Sequence, residues 1–488
     1  MSASVTPTLP SAIHFGTDGW RAVIADAFTF DNVRLVTHAA ARYMRAQYGT
    51  TRPVVVGFDC RFLADRFAQC AAETLKAQGF KVLMTQGYTP TPIVAYAAKA
   101  YESAGALMFT ASHNPPEYMG VKFIPEYAGP ATQDITDAIV ATVRELEQSG
   151  LPAPLAQTGS IETFNPYERY VTLLSQAVQF DTFKTRPLKI LYDPMYGAGQ
   201  GYLDRIYREK TGLTLDMIHN TFDARFGGQL PEPKAECLPE LLARVPAEGY
   251  DLGLANDGDA DRFGVVDETG RFLGADIVLP LLFRYLYHRR GFRGSVARTI
   301  ATSTLMDALA QKLNVTVHET KVGFKHIGEV MRNEAVIVGG EESGGLSVLG
   351  HIPEKDGILG DLLIAEMRAV ENKPLSAIYD DLVAEAGIRL FGINTNLHLD
   401  DAQKAGLMAA MGAIKPGEAF AGRPVQNIIT RDGIKLVFGP SDWVLVRPSG
   451  TEPILRLYGE SPDPVMRDRF EEDVAQRIEN LSSCAATR

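Results

Sequence analysis

Long hydrophobic runs are missing from this sequence of 488 residues: none approaches the ~18 consecutive apolar residues that a membrane-spanning helix needs. We therefore expect no membrane partner. Cysteine is also scarce, and the four residues Cys60, Cys70, Cys237 and Cys484 are widely spaced, with no C-x-x-C pair. This spacing argues against a disulfide framework or a zinc site and is typical of proteins of the reducing cytoplasm. Residues 1–12 lack a charged segment followed by an apolar one, so no secretory signal peptide is expected.

Positive charge is in deficit, because 48 Lys and Arg residues face 59 Asp and Glu residues and the formal net charge is −11. General nucleic-acid binding is therefore not expected, since it requires a basic surface. A small anionic substrate is compatible with this charge, provided that the basic groups that bind it are gathered locally. The Walker lysine of a nucleotide-triphosphate loop is absent as well.

The pattern of apolar residues predicts an α/β protein of several domains. At roughly 100–200 residues per domain, the length corresponds to three or four domains. Apolar strands and amphipathic helices alternate as far as Gly387, which predicts mostly parallel, doubly wound sheets. After Gly387, four strand-like segments accompany two helices, which indicates a smaller α+β domain. We place the domains at residues 1–160, 161–272, 273–385 and 386–488.

The first three domains share a further, weaker feature. In each, an apolar strand ends in an acidic or polar loop, at Val56–Asp59, Leu191–Asp193 and Val338–Glu341. This repetition indicates a triplicated unit, although the three runs show no sequence identity that we can align. The predicted fold class is therefore three similar α/β domains with mixed or parallel sheets, followed by the smaller α+β domain.

A stiff polar loop, Thr110–Pro115, follows the apolar strand-like segment Gly105–Phe109. Its proline and the adjacent Pro116 restrict φ and remove backbone donors, so the loop has few conformations. At the carboxyl edge of an open α/β sheet, such a loop faces the crevice in which ligands bind. Ser112 is therefore a candidate nucleophile, and an ordinary Ser/Asn/Pro turn is the alternative.

Three aspartates alternate in the stretch Asn256–Arg262, directly after the apolar strand Asp251–Ala255. The glycine and alanine between Asp257, Asp259 and Asp261 allow the loop to curl, so that three mutually repelling carboxylates converge. A hard cation such as Mg²⁺ satisfies that arrangement through oxygen ligands. An EF-hand does not match, because the glycine is misplaced and no bidentate glutamate follows at the right spacing. A solvated acidic turn is the alternative.

A third loop, Gly339–Gly345, follows the apolar strand Ala335–Val338. Its glycines allow a ligand to approach closely. Glu341 and Ser343 offer a carboxylate and a hydroxyl two residues apart, which suits two vicinal hydroxyls of a sugar. A plain glycine-rich turn would explain the same residues.

The fourth loop, Arg447–Pro453, follows the strand Trp443–Val446 in the last domain. Its arginine, its two hydroxyl groups and the backbone N–H groups from Ser449 through Gly450 to Thr451 form a small anion nest. The nest is sized for one phosphate. A surface loop between strands is the alternative.

The four loops supply a nucleophile, a metal site, hydroxyl recognition and phosphate capture, one in each predicted domain. That combination describes phosphoryl transfer on a phosphorylated sugar. The motifs Thr-Ala-Ser-His-Asn-Pro, Asp-Gly-Asp-Ala-Asp-Arg, Gly-Glu-Glu-Ser-Gly-Gly and Arg-Pro-Ser-Gly-Thr-Glu-Pro resemble, in the same order, those of the α-D-phosphohexomutase superfamily of phosphoglucomutases and phosphomannomutases. Phe15–Arg21 resembles the family's N-terminal signature, so the resemblance spans nearly the whole chain.

The resemblance implies four domains around a central cleft, of which three share one α/β topology and the fourth is smaller and mobile. It implies that Ser112 carries a phosphoryl group, and that an oxygen of this group and the three aspartates hold Mg²⁺. Lys122 and Arg21 match the family's lysine and arginine near the transferring phosphate. The residues that match substrate-binding positions are His113, Arg262, Lys325, Glu341, Ser343, Gly344, Arg447, Ser449, Gly450 and Thr451.

Position 345 departs from many members of the family. Phosphomannomutase/phosphoglucomutase members often end the sugar loop in histidine, whereas this sequence has Gly345. The sugar loop and the following stretch His351–Gly357 are more similar to those of phosphoglucomutases. The second general acid or base is therefore open between His351 and Lys355.

The resemblance implies a phosphoglucomutase that interconverts glucose 1-phosphate and glucose 6-phosphate, with Mg²⁺ as cofactor and glucose 1,6-bisphosphate as intermediate and activator. A phosphomannomutase or dual-specificity enzyme is the nearest alternative, because Glu341 and Ser343 would contact the 3- and 4-hydroxyls that glucose and mannose share. A phosphosugar phosphatase or a bisphosphate synthase would carry the same motifs, and a non-catalytic phosphosugar binder is a further alternative. We expect a cytoplasmic monomer or weak homodimer.

Overall fold

Four β-sheets follow one another along the chain, and a two-stranded ribbon accompanies the last of them. The computed structural model describes residues 13–16, 19–153, 155, 158–449 and 454–485. Within those ranges, no helix combines the length and the apolar character that crossing a bilayer would require. The first three sheets mix parallel and antiparallel strands, whereas the fourth is antiparallel.

The first sheet consists of strands β1 Trp20–Val23, β2 Val54–Phe58, β3 Lys81–Thr85, β4 Gly105–Phe109, β5 Tyr118–Ile124 and β6 Ser160–Phe164, with helices α1 Phe30–Tyr48, α2 Ala64–Ala77, α3 Thr91–Ala100 and α4 Gln133–Ser149. Its order is β1-β5-β4-β2-β3-β6. Val54 and Val56 pack in one apolar cluster and Val55 in another, so both faces of the sheet are covered. For that reason every residue of β4 is buried, as expected of a central parallel strand.

The second and third sheets repeat this plan with fewer strands. The second has the order β11-β10-β9-β7-β8 and the third the order β13-β12-β14-β15. In chain order their elements are α5 Tyr167–Ala177, α6 Asp181–Thr185, β7 Ile190–Asp193, α7 Leu203–Thr211, β8 Asp216–Met217, α8 Pro239–Ala247, β9 Leu252–Asn256, β10 Phe263–Asp267, β11 Phe272–Leu273, α9 Ala275–His288, β12 Ser295–Thr299, α10 Leu305–Leu313, β13 Val317–Thr320, α11 Phe324–Asn333, β14 Val336–Gly340, β15 Leu346–Val348, α12 Gly357–Glu371 and α13 Leu375–Ala386.

All three sheets place a functional loop at the same point. Three parallel strands form the centre, and the last of them in sequence (β4, β9 or β14) turns back into an antiparallel partner (β5, β10 or β15). The serine, aspartate and sugar loops are the turns of these three hairpins. The prediction of three similar α/β units with mixed sheets is confirmed by this topology.

Two details of the sequence prediction need correction. The return strands were not predicted, because β5 is buried along nearly its whole length and β15 has three residues, so neither shows the alternation of a half-exposed strand. The third of the three strand ends that we compared was also assigned to the wrong strand. Val338–Glu341 belongs to β14, whereas the strand equivalent to β2 and β7 is β12, the middle strand of its parallel centre.

The C-terminal sheet is antiparallel throughout, which confirms the predicted change of class. Its order is β16-β22-β21-β20-β19. Helix α13 ends at Gly387, whose φ is +76°, and the new sheet begins four residues later. Its elements are β16 Phe391–Leu397, α14 Asp401–Ala413, β17 Ala419–Phe420, β18 Arg423–Pro424, β19 Asn427–Ile429, β20 Ile434–Gly439, β21 Asp442–Pro448, β22 Leu455–Ser461 and α15 Pro464–Ala485.

The C-terminal sheet contacts the third sheet through a mixed apolar and polar surface. Trp443 packs against Ile300 in one apolar cluster. The carboxylate of Glu460 accepts hydrogen bonds from the hydroxyl of Ser303 and from both N–H and Oγ1 of Thr304, the latter two at 2.9 and 2.7 Å. A few defined polar contacts therefore position this sheet at the edge of the cleft.

Candidate active site

Ser112 lies in the turn between β4 and β5 with a φ of +51°, a left-handed conformation that is uncommon for residues other than glycine. Its Oγ donates to Oδ2 of Asp257 at 2.8 Å and lies 3.3 Å from Nδ1 of His113. Burial, followed by the positive charges of Arg262 and Arg21, holds the pKa of His113 well below its usual value, so its ring is neutral. The structure thus brings the predicted nucleophile to the predicted metal loop.

Arg61, which the sequence analysis missed, fixes the serine loop from within the protein. Its guanidinium is completely buried and donates to the carbonyl oxygens of Ser112 at 2.5 Å, Asn114 at 2.6 Å and Pro115 at 2.8 Å. Asp59 lies 3.4 Å from its Nε, and burial raises the pKa of this carboxyl to about 6 although Arg61 acts to lower it. Three carbonyls held by one side chain leave the turn little freedom. The sequence did contain a signal for this role, because Asp59 and Arg61 are oppositely charged residues directly after the apolar strand β2.

The aspartates of the loop between β9 and β10 are completely buried, and each offers a carboxylate oxygen within 4.8 Å of the others. Oδ1 of Asp259 and Oδ1 of Asp261 accept no hydrogen bond from any described residue. Buried carboxylate oxygens are costly unless a cation or donor satisfies them. These residues therefore fit a hard divalent cation such as Mg²⁺. The loop curls where Ala260 has a φ of +56°, and a Cβ at Gly258 would lie 2.6 Å from the carbonyl oxygen of Ser112.

Lys122 and Thr91 join the aspartate loop to the first α/β unit. Nζ of Lys122 donates to Oδ2 of Asp259 at 2.9 Å and of Asp261 at 2.8 Å, and Oγ1 of Thr91 donates to Oδ2 of Asp259 at 2.6 Å. Burial acts to raise the pKa of Asp259, but Lys122 and the hydrogen bonds outweigh it, so this pKa lies well below the usual range. Burial and the neighbouring carboxylates instead raise the pKa of Asp257 well above it. Lys122 and Thr91 therefore bind the aspartate loop to the unit that carries Ser112.

The sugar loop is joined to the aspartate loop by backbone pairing. Arg262 and Gly345 form a short antiparallel bridge, and the carbonyl of Gly344 accepts a hydrogen bond from the N–H of Phe263 at 3.0 Å. Oε1 of Glu341 accepts a hydrogen bond from a backbone N–H of the segment before α11 at 2.9 Å. The metal and sugar loops therefore form one continuous wall.

Lys355 and His351, the two candidates for the second acid or base, occupy different places. Lys355 lines the cleft, and its Nζ lies 3.4 Å from Oδ2 of Asp261. A Cβ at Gly345 would lie 2.4 Å from Cδ of Lys355, so the missing side chain makes room for the lysine. The completely buried side chain of His351 instead places Nε2 2.8 Å from Oδ2 of Asp356. The structure brings Lys355, and not His351, to the reacting groups.

The loops surround a cleft whose lining is rich in cationic side chains. On the C-terminal side, Arg447 and Arg456 are directly opposite each other in the pairing of β21 with β22. Like charges in such a position destabilise a sheet, which is a reason to expect an anion between them. The sequence analysis missed Arg456. The residues of the predicted site that line this cleft are Arg21, His113, Arg262, Glu341, Ser343, Lys355, Arg447 and Ser449.

A few predicted residues lie elsewhere or outside the described part of the chain. Nζ of Lys325 donates to Oε1 of Gln133 in α4 at 2.9 Å, and Lys325 does not line the cleft. Arg21 lies in the cleft with Nη1 2.6 Å from Oδ1 of Asn114. The positions outside the described residues are Gly450 and Thr451 of the phosphate loop and Thr17 and Asp18 of the N-terminal motif.

Comparison with known proteins agrees with this geometry over most of the chain. Four phosphoglucomutase/phosphomannomutase domain families match it: α/β/α domain I at residues 12–150, domain II at 168–270, domain III at 275–386 and the C-terminal domain at 395–477. A crystal structure from Thermus thermophilus, assigned only provisionally as a phosphomannomutase, is similar with a TM-score of 0.84 and 33% identity, over 96% of this chain and 99% of that one.

Relatives with assigned activities differ in the sugar that they use. A phosphoglucomutase/phosphomannomutase of Thermococcus kodakarensis is 30% identical over 92% of this chain and 94% of its own length. A Komagataeibacter xylinus phosphoglucomutase is 28% identical (92% and 87%), and a Sulfurisphaera tokodaii phosphoglucosamine/phosphogalactosamine mutase is 28% identical (95% and 99%). The chain therefore belongs to the phosphoglucomutase/phosphomannomutase family and is a phosphohexomutase, an isomerase that moves a phosphoryl group within a hexose phosphate.

Proposed function

We propose that the chain is a Mg²⁺-dependent phosphoglucomutase that interconverts glucose 1-phosphate and glucose 6-phosphate through a phosphoryl group on Ser112 and a glucose 1,6-bisphosphate intermediate. The observation that carries this proposal is the 2.8 Å contact between Oγ of Ser112 and Asp257, next to His113, which lines a cleft with several cationic groups. It supports the proposal because nucleophile, metal cluster and anion-binding groups meet at one point.

Ser112 acts as the phosphoryl carrier, and its surroundings suit that role. Asp257, Asp259 and Asp261 would hold Mg²⁺, which when bound neutralises the negative charge of the transferring group. When the phosphoryl group returns to the serine, the hydroxyl must lose its proton, and Nδ1 of the neutral His113 lies 3.3 Å from Oγ to accept it. Because the serine is 1% exposed, water has little access to the reacting oxygen.

Lys355 is the proposed second acid and base. A sugar hydroxyl that attacks the phosphoserine must lose its proton, and it must regain one when it leaves. The lysine amine lies at the cleft beside Asp261, on the same wall as the sugar loop. Arg21 lies across the serine loop and contributes positive charge to the transferring phosphate.

The sugar and its second phosphate bind to the other loops. Glu341 and Ser343 contact the 3- and 4-hydroxyls, and Arg447, Arg456 and Ser449 hold the phosphate that is not reacting. A glucose preference is supported by the resemblance of the sugar loop to that of phosphoglucomutases. A phosphomannomutase or a dual-specificity enzyme would act on mannose, which differs from glucose only in the configuration of its 2-hydroxyl. We assign no residue to the binding of that hydroxyl.

Substrate choice is tested by measuring kcat/KM for glucose 1-phosphate, mannose 1-phosphate and glucosamine 1-phosphate under the same conditions. We expect glucose 1-phosphate to give the highest value. A preference of about tenfold or more for either of the other two, roughly 1.4 kcal/mol in transition-state binding, would reassign the substrate. Release of inorganic phosphate at the rate of isomerisation would instead indicate a phosphatase.

The role of Ser112 is tested by the intact mass of the purified protein after incubation with glucose 1,6-bisphosphate. We expect an added mass of about 80 Da, one phosphoryl group, which disappears in Ser112→Ala. Ser343→Ala is the matched control and should retain the added mass. If Ser112→Ala keeps the group, the serine is not the carrier and the proposal fails.

A further inference from the structure

One carboxylate outside the catalytic cluster joins two of the cleft's loops. Asp432 lies in the turn between β19 and β20 of the C-terminal sheet. Its Oδ1 accepts a hydrogen bond from Nε of Arg447 at 2.8 Å, and its Oδ2 accepts one from the backbone N–H of Val322 at 2.9 Å. The side chains of Asp432 and Arg447 are 19% and 11% exposed, so this charged pair is largely shielded from solvent.

The Val322 end of this contact reaches the sugar loop within one residue. The next N–H, that of Gly323, donates to Oε1 of Glu341 at 2.9 Å. Gly323 has a φ of +120° and a ψ of +120°, a conformation that glycine can adopt because it has no Cβ, and in which no side chain fixes the backbone. The direction of the Gly323 N–H therefore depends on the hydrogen bonds of this segment. On the N-terminal side, that hydrogen bond is the one that the N–H of Val322 donates to Asp432.

The Arg447 end is equally constrained. Gly433, the residue after Asp432, has a φ of +85°, and a Cβ there would lie 2.6 Å from the carbonyl oxygen of Val446 and 2.9 Å from Cβ of Arg447. The turn is thus packed directly on strand β21. Asp432 cannot move without moving Arg447 or breaking its contact with the strand.

We infer that Asp432 is a positioning residue that couples phosphate capture to sugar recognition. Through Arg447 it senses the phosphate held by the C-terminal sheet, and through Val322 and Gly323 it orients Glu341. The inference rests on the proposed function, in which Arg447 binds the non-reacting phosphate and Glu341 a sugar hydroxyl. It follows that sugar discrimination depends on a residue that touches neither the sugar nor the phosphate.

Arg431 offers a matched control from the same turn. Its Nη1 donates to the carbonyl oxygen of Glu319 at 2.8 Å, so it also joins the C-terminal sheet to the third sheet. Its ion pair is made with the carboxylate of the same glutamate, at 3.9 Å, and neither of these two contacts involves the backbone N–H groups that bind Asp432 and Glu341. If Asp432→Ala only weakens the contact between the two sheets, it should therefore behave like Arg431→Ala. If it also uncouples phosphate binding from sugar recognition, the two variants should differ.

The experiment measures kcat and KM for glucose 1-phosphate and for galactose 1-phosphate, which differs at the 4-hydroxyl. Asp432→Ala should raise KM for glucose 1-phosphate by about 10-fold, the loss expected from one charge-assisted hydrogen bond. It should also lower the ratio of the two kcat/KM values by about fivefold. Arg431→Ala should leave that ratio within about twofold of wild type. Asp432→Asn, which keeps the shape but presents an amide N–H₂ to one of the two donors, provides the same test if the alanine variant does not fold.

A double variant identifies the route. If Asp432 acts through the sugar loop, Asp432→Ala combined with Glu341→Gln should discriminate between the two sugars no worse than Glu341→Gln alone. An unchanged sugar ratio in Asp432→Ala or Asp432→Asn, or an equal fall in Arg431→Ala, would overturn the inference and leave the proposed function intact. A wild-type protein that isomerises neither sugar phosphate would instead overturn the proposed function.

Discussion

The serine loop and the phosphate-binding end of the cleft are held in opposite ways. The buried guanidinium of Arg61 donates to three backbone carbonyls of the serine loop, and this loop follows a strand of a sheet that is covered on both faces. At the other end, Arg447 is positioned by a carboxylate in a hairpin turn, and the sheet that carries it contacts the third sheet through a small apolar cluster and side-chain hydrogen bonds.

This difference corresponds to what each end must do. Phosphoryl transfer requires the nucleophile and the metal ligands to stay in place, because a small displacement of reacting atoms is expensive in rate. In the proposed mechanism, the non-reacting phosphate must instead be bound, released and bound again as the bisphosphate turns, which favours a sheet that can separate from its neighbour. Gly387, at the end of α13, is the residue next to that boundary that is best able to accommodate a change in backbone direction.

The largest expected effect is at the rigid end. Asp259→Asn should lower turnover at least about 100-fold, because it removes a carboxylate from the metal cluster and one of the two aspartates that bind Lys122. Excess chelator should have the same effect on the wild type, and Mg²⁺ should restore activity. The isomerisation rate measures the loss of activity. A thermal unfolding transition should show that the variant is still folded. Full activity in excess chelator would exclude the proposed metal role.

The next largest effect is expected at Arg61, which donates hydrogen bonds to the serine loop. Arg61→Met should lower the free energy of unfolding by about 3–5 kcal/mol, because it leaves Asp59 buried without its partner, and it should lower kcat by about 100-fold as the serine shifts. Arg447→Met is the control, since its pair with Asp432 is less completely buried than the Arg61–Asp59 pair and its loss should cost less stability. Denaturant unfolding of both variants provides the comparison. Equal stability losses would show that the two ends are equally rigid.

A smaller effect is expected at the movable end. Arg447→Ala should raise KM for glucose 1-phosphate by about 10- to 100-fold, since a charge-assisted phosphate contact contributes ~1.5–3 kcal/mol. It should also increase release of free glucose 1,6-bisphosphate, because the turning intermediate is held less tightly. Steady-state kinetics and direct measurement of the released bisphosphate test both expectations. An unchanged KM without leakage would contradict the assigned phosphate site.

The smallest effect concerns pH and the boundary of the C-terminal sheet. Lys435 donates to the carbonyl of Ile300 at 2.8 Å, and burial, followed by the charge of Arg298, lowers its pKa from 10.5 to about 8. The unfolded chain therefore binds more protons than the folded one between these values, so this group makes the folded state more stable as pH rises. Unfolding free energies at pH 7.5 and 9.5 should show a rise of about 2 kcal/mol in wild type that Lys435→Met lacks. Identical pH dependence in the two proteins would contradict the lowered pKa.

The sequence predicted the chemical character of the site better than its support. The four loops were recognisable because each follows an apolar strand and carries reactive residue types in a short motif. Arg61, Thr91 and Arg456 were missed because their importance arises from tertiary contacts: Thr91 reaches Asp259 across 168 positions of the chain, and Arg456 is distinctive only when strand pairing places it opposite Arg447.

The choice between His351 and Lys355 shows the same limit. Both residues stand in one short stretch with suitable chemistry, and no local pattern distinguishes them. The side chain that fits is determined by the space over Gly345, which Lys355 fills, and by the carboxylate of Asp356, which engages His351. Packing around one glycine thus determines which group reaches the cleft.

The backbone bridge between Arg262 and Gly345 has a consequence for how this enzyme can be altered. Because the metal loop and the sugar loop are hydrogen-bonded to each other, a remodelled sugar loop also displaces the aspartates to which we assign the metal site. Substrate range and chemical competence are therefore linked traits rather than separable ones. A search for variants with a new sugar preference should vary residues 256–262 and 341–345 in the same library, since changes confined to the sugar loop will usually be lost as inactive proteins.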